Sequence, residues 1–410
     1  MSAAPERALP LSDIRIVDLS RALAGPYATA LLADLGAEII KVEGISGGDS
    51  SRAWPPFDGE HSLYFDSTNR GKSSIAVDFY SPEGRDLLWK LAMSADALVE
   101  NFRPGVMAKM GLDPDALREA NPGLVIASVT GFGATGPLAN AAGLDQVAQG
   151  MSGLMSVTGA DPDHVFRVGV PIIDMVSGIY TALGVAAALA GRSRTGAGAE
   201  VSTSLLEAGL SLATFQGQRF LSTGEVPVPQ GNSHPVLSPY GVFRTADIPV
   251  IIAVGNEKQW RQLCALLGDP GLADHPDYAD GSLRRANRDA LTAALESRLK
   301  TQAGEHWLTA LRSAAIPAGP IFTYEQAFDD AQVRSLGMVT TVQRSDGTDL
   351  PLLRGPLSVD RQRPAIRKAP PALGEDTQDV LVGLGLGEEA IAALVEAGAV
   401  AVPVRVGASA

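Results

Sequence analysis

Two short apolar runs, separated by one helix's worth of residues near the start of the chain, constrain its fold more than any other feature. Residues 14–19 (IRIVDL) are apolar without alternation. A turn, SRALAGP, follows, YATALLADLG then has helical spacing up to Gly36, and AEIIKVE closes at Glu43. A strand apolar on both sides must be covered on both faces, so this strand–helix–strand unit predicts a buried parallel sheet. The pattern recurs in SSIAVDF, SPEGRDLLWKLAMSA and DALVENF, with Ser81 placed as a helix N-cap. A further helix from Asp113 precedes LVIASVTGF. Residues 11–200 thus predict a doubly wound α/β domain.

The composition shifts near residue 222. STGEVPVPQGNSHPVLSPYG is rich in Pro, Gly and Ser and reads as a long crossing loop. A strand pair, YGVFRTADIPVIIAVG, and helices over 257–267, 287–300 and 303–314 give a smaller α+β unit. Short strands between 339 and 356 and two terminal helices complete the chain, whose 410 residues suit two or three domains.

Bulk properties exclude several classes. A net charge of −13 repels phosphate backbones, and there is no basic stripe interleaved with aromatics, so nucleic acid is not an expected partner. Anionic substrates would need a local basic site. The one cysteine, Cys264, permits neither an intrachain disulfide nor a cysteine metal cluster, and QWRQLCALLG places its thiol on the apolar side of a helix. The five histidines lack HxxxH or HxH spacing, so no metal site is expected. The N-terminus lacks a signal-peptide pattern, and the most apolar run, 175–190, is shorter than the ~20 residues of a membrane helix. A soluble cytoplasmic protein without a membrane partner is expected.

Asp174 carries the sharpest question. It stands at the mouth of an uncharged run that extends to Gly191. Aspartate is a good N-cap, and it is also a nucleophile when ionised in a dry pocket; both readings fit the local sequence. A helix N-terminus would help to hold the carboxylate ionised. Gly131, Gly133 and Gly136 in TGFGATG match GxGxxG and follow a strand, yet no long amphipathic helix follows, so the match predicts a glycine-rich loop near a ligand rather than a dinucleotide site. Glu43, at a strand end, is either a ribose acceptor or a solvated acid. Asn101 to Gly105 follow another strand and face the expected ligand crevice, and Lys72 enters a third.

Nine segments in this order resemble the class III CoA-transferase family, the CaiB/BaiF group: DLSRALAGPYATALLADLGAEIIKVE, STNRGKSSIAVD, ENFRPGVMAKMG, TGFGATGP, VGVPIIDMVSGIYTALGVAAAL, RTGAGAEVSTSLLEA, GNSHPVLSPYGVF, IPAGP and LGEDT. The resemblance implies a Rossmann-like large domain with a smaller inserted α+β domain, and two ring-shaped protomers interlocked as a homodimer. The corresponding boundaries are 1–221 for the CoA-binding part, 222–330 for the small domain with its linkers, and 331–410 for the return to the large domain. The resemblance also implies a nucleophile at Asp174. An acyl-CoA and a free carboxylic acid are the implied partners, and CoA itself, as substrate, the only cofactor. CoA contacts carried over by resemblance fall on Ala22, Leu23, Asn69, Lys72, Asn101, Phe102, Lys109, Met110, Thr130 and Phe132, with Lys72 and Lys109 at phosphates and Phe102 near the adenine.

The chain departs from formyl-transferring members at Leu23, Gly44, Thr130 and GNSHPVL, which argues against formate and oxalate and for a larger or dicarboxylic acid, with succinyl-CoA as donor. Arg52, Arg167 and His234 are the candidate binders of that acid. A racemase branch of the same fold uses an imidazole from an AGHD motif; here the stretch is Ala142-Gly143-Leu144-Asp145, and leucine cannot accept a proton. Racemase and non-catalytic CoA binding are the alternatives.

Overall fold

The computed structural model describes residues 8–403 and divides into two compact units. The larger holds the chain up to Leu154, Val168–Gln218 and the chain from Gly337 onward. The smaller holds Met155–Arg167 and Arg219–Leu336. Its first segment precedes the composition shift near 222 and joins the unit through the hydrogen bond from Gly231 N to Gly159 O.

The larger unit is built on one sheet of seven strands: β1 (Arg15–Asp18), β2 (Glu38–Gly44), β3 (Lys72–Val77), β4 (Ala97–Glu100), β5 (Val125–Thr130), β6 (Glu200–Ser204) and β7 (Val400–Ala401). The spatial order is β6-β5-β4-β1-β2-β3-β7. Neighbours are parallel except β7, which runs antiparallel on the edge beside β3. Successive strands step outward from β1 in one direction, then from β4 in the other.

Adjacent residues of one strand feed two different cores. Val17, Ile40, Val42, Ile75 and Leu98 pack with Leu88 and Leu91 of helix Pro82–Met93 and with Leu381 and Ile391 of the C-terminal helices. Ile16, Ile39, Val99 and Val125 pack on the other face, with Ala28 and Leu32 of α1 (Ala24–Asp34). Burial of both faces is why these strands are uninterrupted apolar runs; each fully buried Leu or Ile contributes about 1.5–3 kcal/mol. Helix Pro82–Met93 begins at Ser81, whose hydroxyl accepts the Gly84 amide.

Three further helices of the larger unit bear on the site: α2 (Leu63–Thr68), α3 (Asp145–Met151) and α4 (Ile172–Thr195). At 24 residues α4 exceeds the apolar run 175–190, because Arg192, Ser193 and Arg194 extend it to a left-handed C-cap at Gly196. By length and composition it could cross a bilayer. In the fold its inner face, including Ile173, Ala182, Val185 and Leu189, is buried in the larger unit. It crosses α1 so closely that a Cβ on Gly178 would lie 2.7 Å from the Ala24 carbonyl oxygen.

In the smaller unit Tyr240–Arg244 and Pro249–Ala253 form the expected antiparallel pair. A third strand, Ala318–Pro320, joins it; its Ala-Gly-Pro sequence carries no strand signature. Helices Glu257–Leu266, Arg288–Leu299 and Gly304–Ser313 close over them around Trp260, Leu263, Cys264, Leu295 and Leu308.

The glycines after β5 serve a chain crossing. A Cβ on Gly143 would meet Gly131 Cα at 2.3 Å, and Gly133 and Gly136 adopt φ of +95° and +92°. The crossing sets the approach to α3. Gly143→Ala is therefore expected to cost about 1–3 kcal/mol and lower the melting temperature; an unchanged Tm would contradict the crossing.

Candidate active site

An open parallel sheet leaves a ligand crevice where its strand order reverses, here at the carboxyl ends of β1 and β4. The chain buries charge at that point. Asp18 accepts hydrogen bonds from the Ser20 amide (2.9 Å) and hydroxyl, the Thr29 hydroxyl (2.6 Å) and the Lys72 ammonium (2.9 Å). Lys72 donates its other protons to Asn69 Oδ1 and the Pro26 carbonyl, both at 2.9 Å. Beside it Lys41 pairs with Asp49 at 2.9 Å and donates to the Ser20 carbonyl. Asp18, Lys41 and Lys72 are all 0% exposed. Burial works to raise the Asp18 pKa, yet Lys72, Lys41 and the two hydroxyls hold it far below the usual carboxylate range. Burial pushes Lys72 down to about 8, with Asp18 offsetting part of the effect.

This arrangement gives several of the expected site residues partners within the protein. The three donors of Lys72 are engaged inside the protein, on Asp18, Pro26 and Asn69. Asn69 is equally enclosed, donating to Phe65 O and Thr68 Oγ1. Arg52 forks onto Glu43 at 2.7 Å through Nε and Nη2 and lies 3.7 Å above the Phe65 ring. Glu43 holds Arg52, the Asp49 amide and the Ser74 hydroxyl in place of a ribose. A basic residue entering a strand looks the same in sequence whether it faces ligand or protein, and Asp18 stands 54 positions from Lys72.

Asp49 also accepts the Ala22 amide at 3.0 Å, which fixes the first turn, where Ala22 has φ +66°. Leu23 is buried at the start of α1. Asn101, after β4, accepts the Arg21 amide (2.8 Å) and donates to the Arg21 carbonyl (2.7 Å), tying the two strand ends together. Phe102 and Met110 are buried and packed with Met107; the Arg21 guanidinium lies 4.9 Å from the Phe102 ring centroid. Lys109 is exposed, and Thr130 and Phe132 are half-buried beyond β5, with the Thr130 hydroxyl accepting the Gly133 amide.

Two candidates lie in the smaller unit. Arg167 is exposed. His234 accepts the Val236 and Leu237 amides on Nδ1 at 3.1 and 3.0 Å and stacks on Tyr240, while burial and Arg288 push its pKa down. Its ring nitrogen thus shapes a turn, and the direction of the shift disfavours the cationic form.

Asp174 is not a cap. The helix α4 begins earlier, with Pro171 at the N-cap, and Asp174 lies in its first turn. The cap is supplied by Asp145, the first residue of α3, whose Oδ1 accepts the amides of Ile173 (2.9 Å) and Asp174 (3.3 Å). The Asp174 carboxylate is partly buried, and among the described residues no hydrogen bond to its oxygens is seen. Burial, and then the negative charge of Asp145, push its pKa up to about 7. The helix N-terminus therefore does not keep it fully ionised at neutrality. Tyr64 of α2 faces the same pair: burial, Asp174 and Asp145 raise its pKa. Leu144 is the N-cap of α3 and brings no base. Among the described residues no group of three or more His, Cys, Asp or Glu is placed to hold a metal.

The model for CoA-transferase family III matches residues 11–377. The chain belongs to CoA-transferase family III. It is 41% identical over 391 residues to a succinate–glutarate CoA-transferase of Agrobacterium fabrum, covering 94% of this chain and 98% of that one. It is 38% identical over 343 residues to an acetyl-CoA:oxalate CoA-transferase of Acetobacter aceti, covering 83% and 87%. A CaiB/BaiF family protein from Brucella suis, at 38% identity, superposes with a TM-score of 0.82 over 92% of this chain and 100% of that one. The chain is thus a family III CoA-transferase with a mixed α/β fold.

The buried charges lead to two expected outcomes. Lys72→Met leaves the buried Asp18 uncompensated and should lower stability by about 3–5 kcal/mol, read by denaturant unfolding; a cost near zero would show that the ion pair is incidental. Asp174, an acid with a raised folded pKa, disfavours the fold once ionised. That penalty begins above its unfolded value of 3.8 and is complete above about 7. Asp174→Asn should therefore raise Tm at pH 8, with the gain vanishing towards pH 4. A gain independent of pH would refute the assignment.

Proposed function

We propose that this enzyme moves CoA from an acyl-CoA to a dicarboxylic acid, with Asp174 as the nucleophile. The observation that carries this reading is a partly buried carboxylate without hydrogen-bond donors to stabilise its charge, set beside a second carboxylate. Such an anion is poorly solvated, and attack on an electrophile neutralises it.

The ionised Asp174 oxygen attacks the thioester carbonyl carbon of the acyl-CoA. The carbon–sulfur bond breaks, and a mixed aspartyl–acyl anhydride forms with release of CoA thiolate. The thiolate then attacks the aspartyl carbonyl, giving an aspartyl-CoA thioester and freeing the donor acid as carboxylate. The acceptor carboxylate attacks that thioester to form a second anhydride and release thiolate once more. Thiolate attack on the acceptor's carbonyl yields the new acyl-CoA and restores Asp174. Charge and atoms balance at every step without metal or redox chemistry.

The strand order β3-β2-β1-β4-β5-β6 supports a Rossmann-like reading of the larger unit. CoA would follow the ends of β1, β4 and β5, with Ala22, Asn101, Lys109, Thr130 and Phe132 as the more accessible candidate contacts and Leu23, Asn69, Lys72, Phe102 and Met110 as buried ones. A homodimer is supported by Ile179, Tyr180, Leu183, Leu210 and Phe215, large apolar side chains exposed in the larger unit. The dicarboxylate reading rests on relatives named for succinate, glutarate and oxalate, all diacids, so oxalate belongs among the acids to test.

A matrix of succinyl-CoA and acetyl-CoA against glutarate, oxalate and monocarboxylic acids, with CoA products read by mass spectrometry, tests the substrate class. Transfer to diacids should exceed transfer to monoacids, and Asp174→Ala should lose about 10³-fold or more. Equal transfer to monoacids would remove the diacid reading, and an active Asp174→Ala would remove the nucleophile.

A further inference from the structure

The Asp145 carboxylate is engaged on both oxygens. Oδ1 accepts the Ile173 and Asp174 amides, and Oδ2 accepts Gln149 Nε2 at 2.6 Å. Gln149 is 0% exposed, and its Oε1 accepts the Val168 amide at 2.8 Å, on the segment that leads into α4. One chain of hydrogen bonds, Val168–Gln149–Asp145–Ile173/Asp174, therefore clamps the approach to α4 and its first turn onto α3. Gly131 and Gly143, whose backbones touch just before Asp145, fix where α3 begins.

The identity of this residue matters as much as its position. Asparagine or serine would cap the same amides without a charge. An aspartate places a second anion against the backbone of Asp174, where it repels ionised Asp174 and not its neutral anhydride or thioester. We propose that Asp145 is a positioning residue for the transfer reaction: braced by Gln149, it fixes the first turn of α4 and disfavours the resting carboxylate of Asp174 relative to its acylated forms. This rests on Asp174 being the nucleophile.

The raised pKa of Asp174, caused by burial and next by Asp145, agrees with the geometry. On α4 itself, Tyr180 accepts the Ser211 hydroxyl and Arg192 pairs with Asp96 near the far end. Tyr64 faces Asp174 and Asp145 from α2 as a neutral phenol. Tyr27 of α1 senses Arg70 and Asp34. Glu207, on the following helix Leu205–Ser211, takes the Ser204 hydroxyl.

The test is the pH dependence of kcat for wild type, Asp145→Asn, Asp145→Glu and Gln149→Leu. Wild-type activity should rise through an acidic limb near pH 7 as Asp174 ionises. Asp145→Asn should shift that limb down by about one pH unit and lower the plateau kcat about tenfold, because the anion is relieved of its neighbour. Asp145→Glu keeps the charge and misplaces the cap, so kcat should fall with the limb unmoved. Gln149→Leu loosens the brace only and should reduce kcat with little change in the KM for acyl-CoA. Folding is checked by circular dichroism. If Asp145→Asn folds and shows the wild-type limb and kcat, the proposal is overturned. If it does not fold, a wild-type kcat in Gln149→Leu overturns it, and a reduced kcat at constant KM supports it. These failures differ from failure of the nucleophile reading, which an active Asp174→Ala would show irrespective of Asp145.

Discussion

An ammonium ion buried without a partner would be too costly for a domain of marginal stability, and the larger unit is organised around that constraint. Lys72 begins β3, and its charge must be met from β1. The three acceptors it finds, on Asp18, Asn69 and Pro26, draw together β1, β3, the start of α1 and the residues following α2. Lys41 extends the arrangement to Asp49, and Asp49 holds the amide of Ala22. The turn at the carboxyl end of β1 is thus held from below by ion pairs that solvent does not reach. A ligand crevice needs such a floor, because backbone groups can orient a ligand only when they do not themselves move.

The reacting end of the site follows the opposite rule. Beneath the first turn each buried charge has a partner of opposite sign. At Asp174 the charge that acts on the carboxylate, that of Asp145, has the same sign, and Asp145 takes the backbone amides of the first turn. The fold therefore keeps two electrostatic regimes in one unit: satisfied ions at the floor, and a carboxylate without a compensating charge at Asp174. In the proposed mechanism that unfavourable charge is relieved by acylation. Function at the expense of stability is expected of a catalytic group.

Much of the fold was legible because both-sided burial imprints itself on sequence. Uninterrupted apolar strands alternating with helical spacing mark β1 to β5, and Ser81 announces its helix. The elements that escaped are those with little sequence signal: the two-residue edge strand β7, the Ala-Gly-Pro strand of the smaller unit, and the short helix α2 that carries Tyr64. At the site, Asp174 stood out as a lone charge before an apolar helix, but its role as a cap did not survive, since Pro171 starts the helix and Asp145 caps it. The protein-side pairing of Lys72 was not legible, because Asp18 stands 54 positions away and a polar residue at a strand end carries no mark of which way it points. The burial of Phe102 and Met110 was not legible either, because aromatic and thioether side chains serve a core as readily as a ligand. Asp145 was seen only as the neighbour of Leu144; its pairing with Gln149 four residues on, within one helix, was the available clue.

The central claim is that Asp174 becomes covalently acylated during turnover. Peptide mass spectrometry of the enzyme incubated with an acyl-CoA and quenched with hydroxylamine tests this directly, because hydroxylamine converts an aspartyl anhydride or thioester to a hydroxamate and leaves a free carboxylate untouched. The account predicts a hydroxamate on Asp174 that requires acyl-CoA. Full turnover with no modification of Asp174, or with the hydroxamate on another residue, would contradict it.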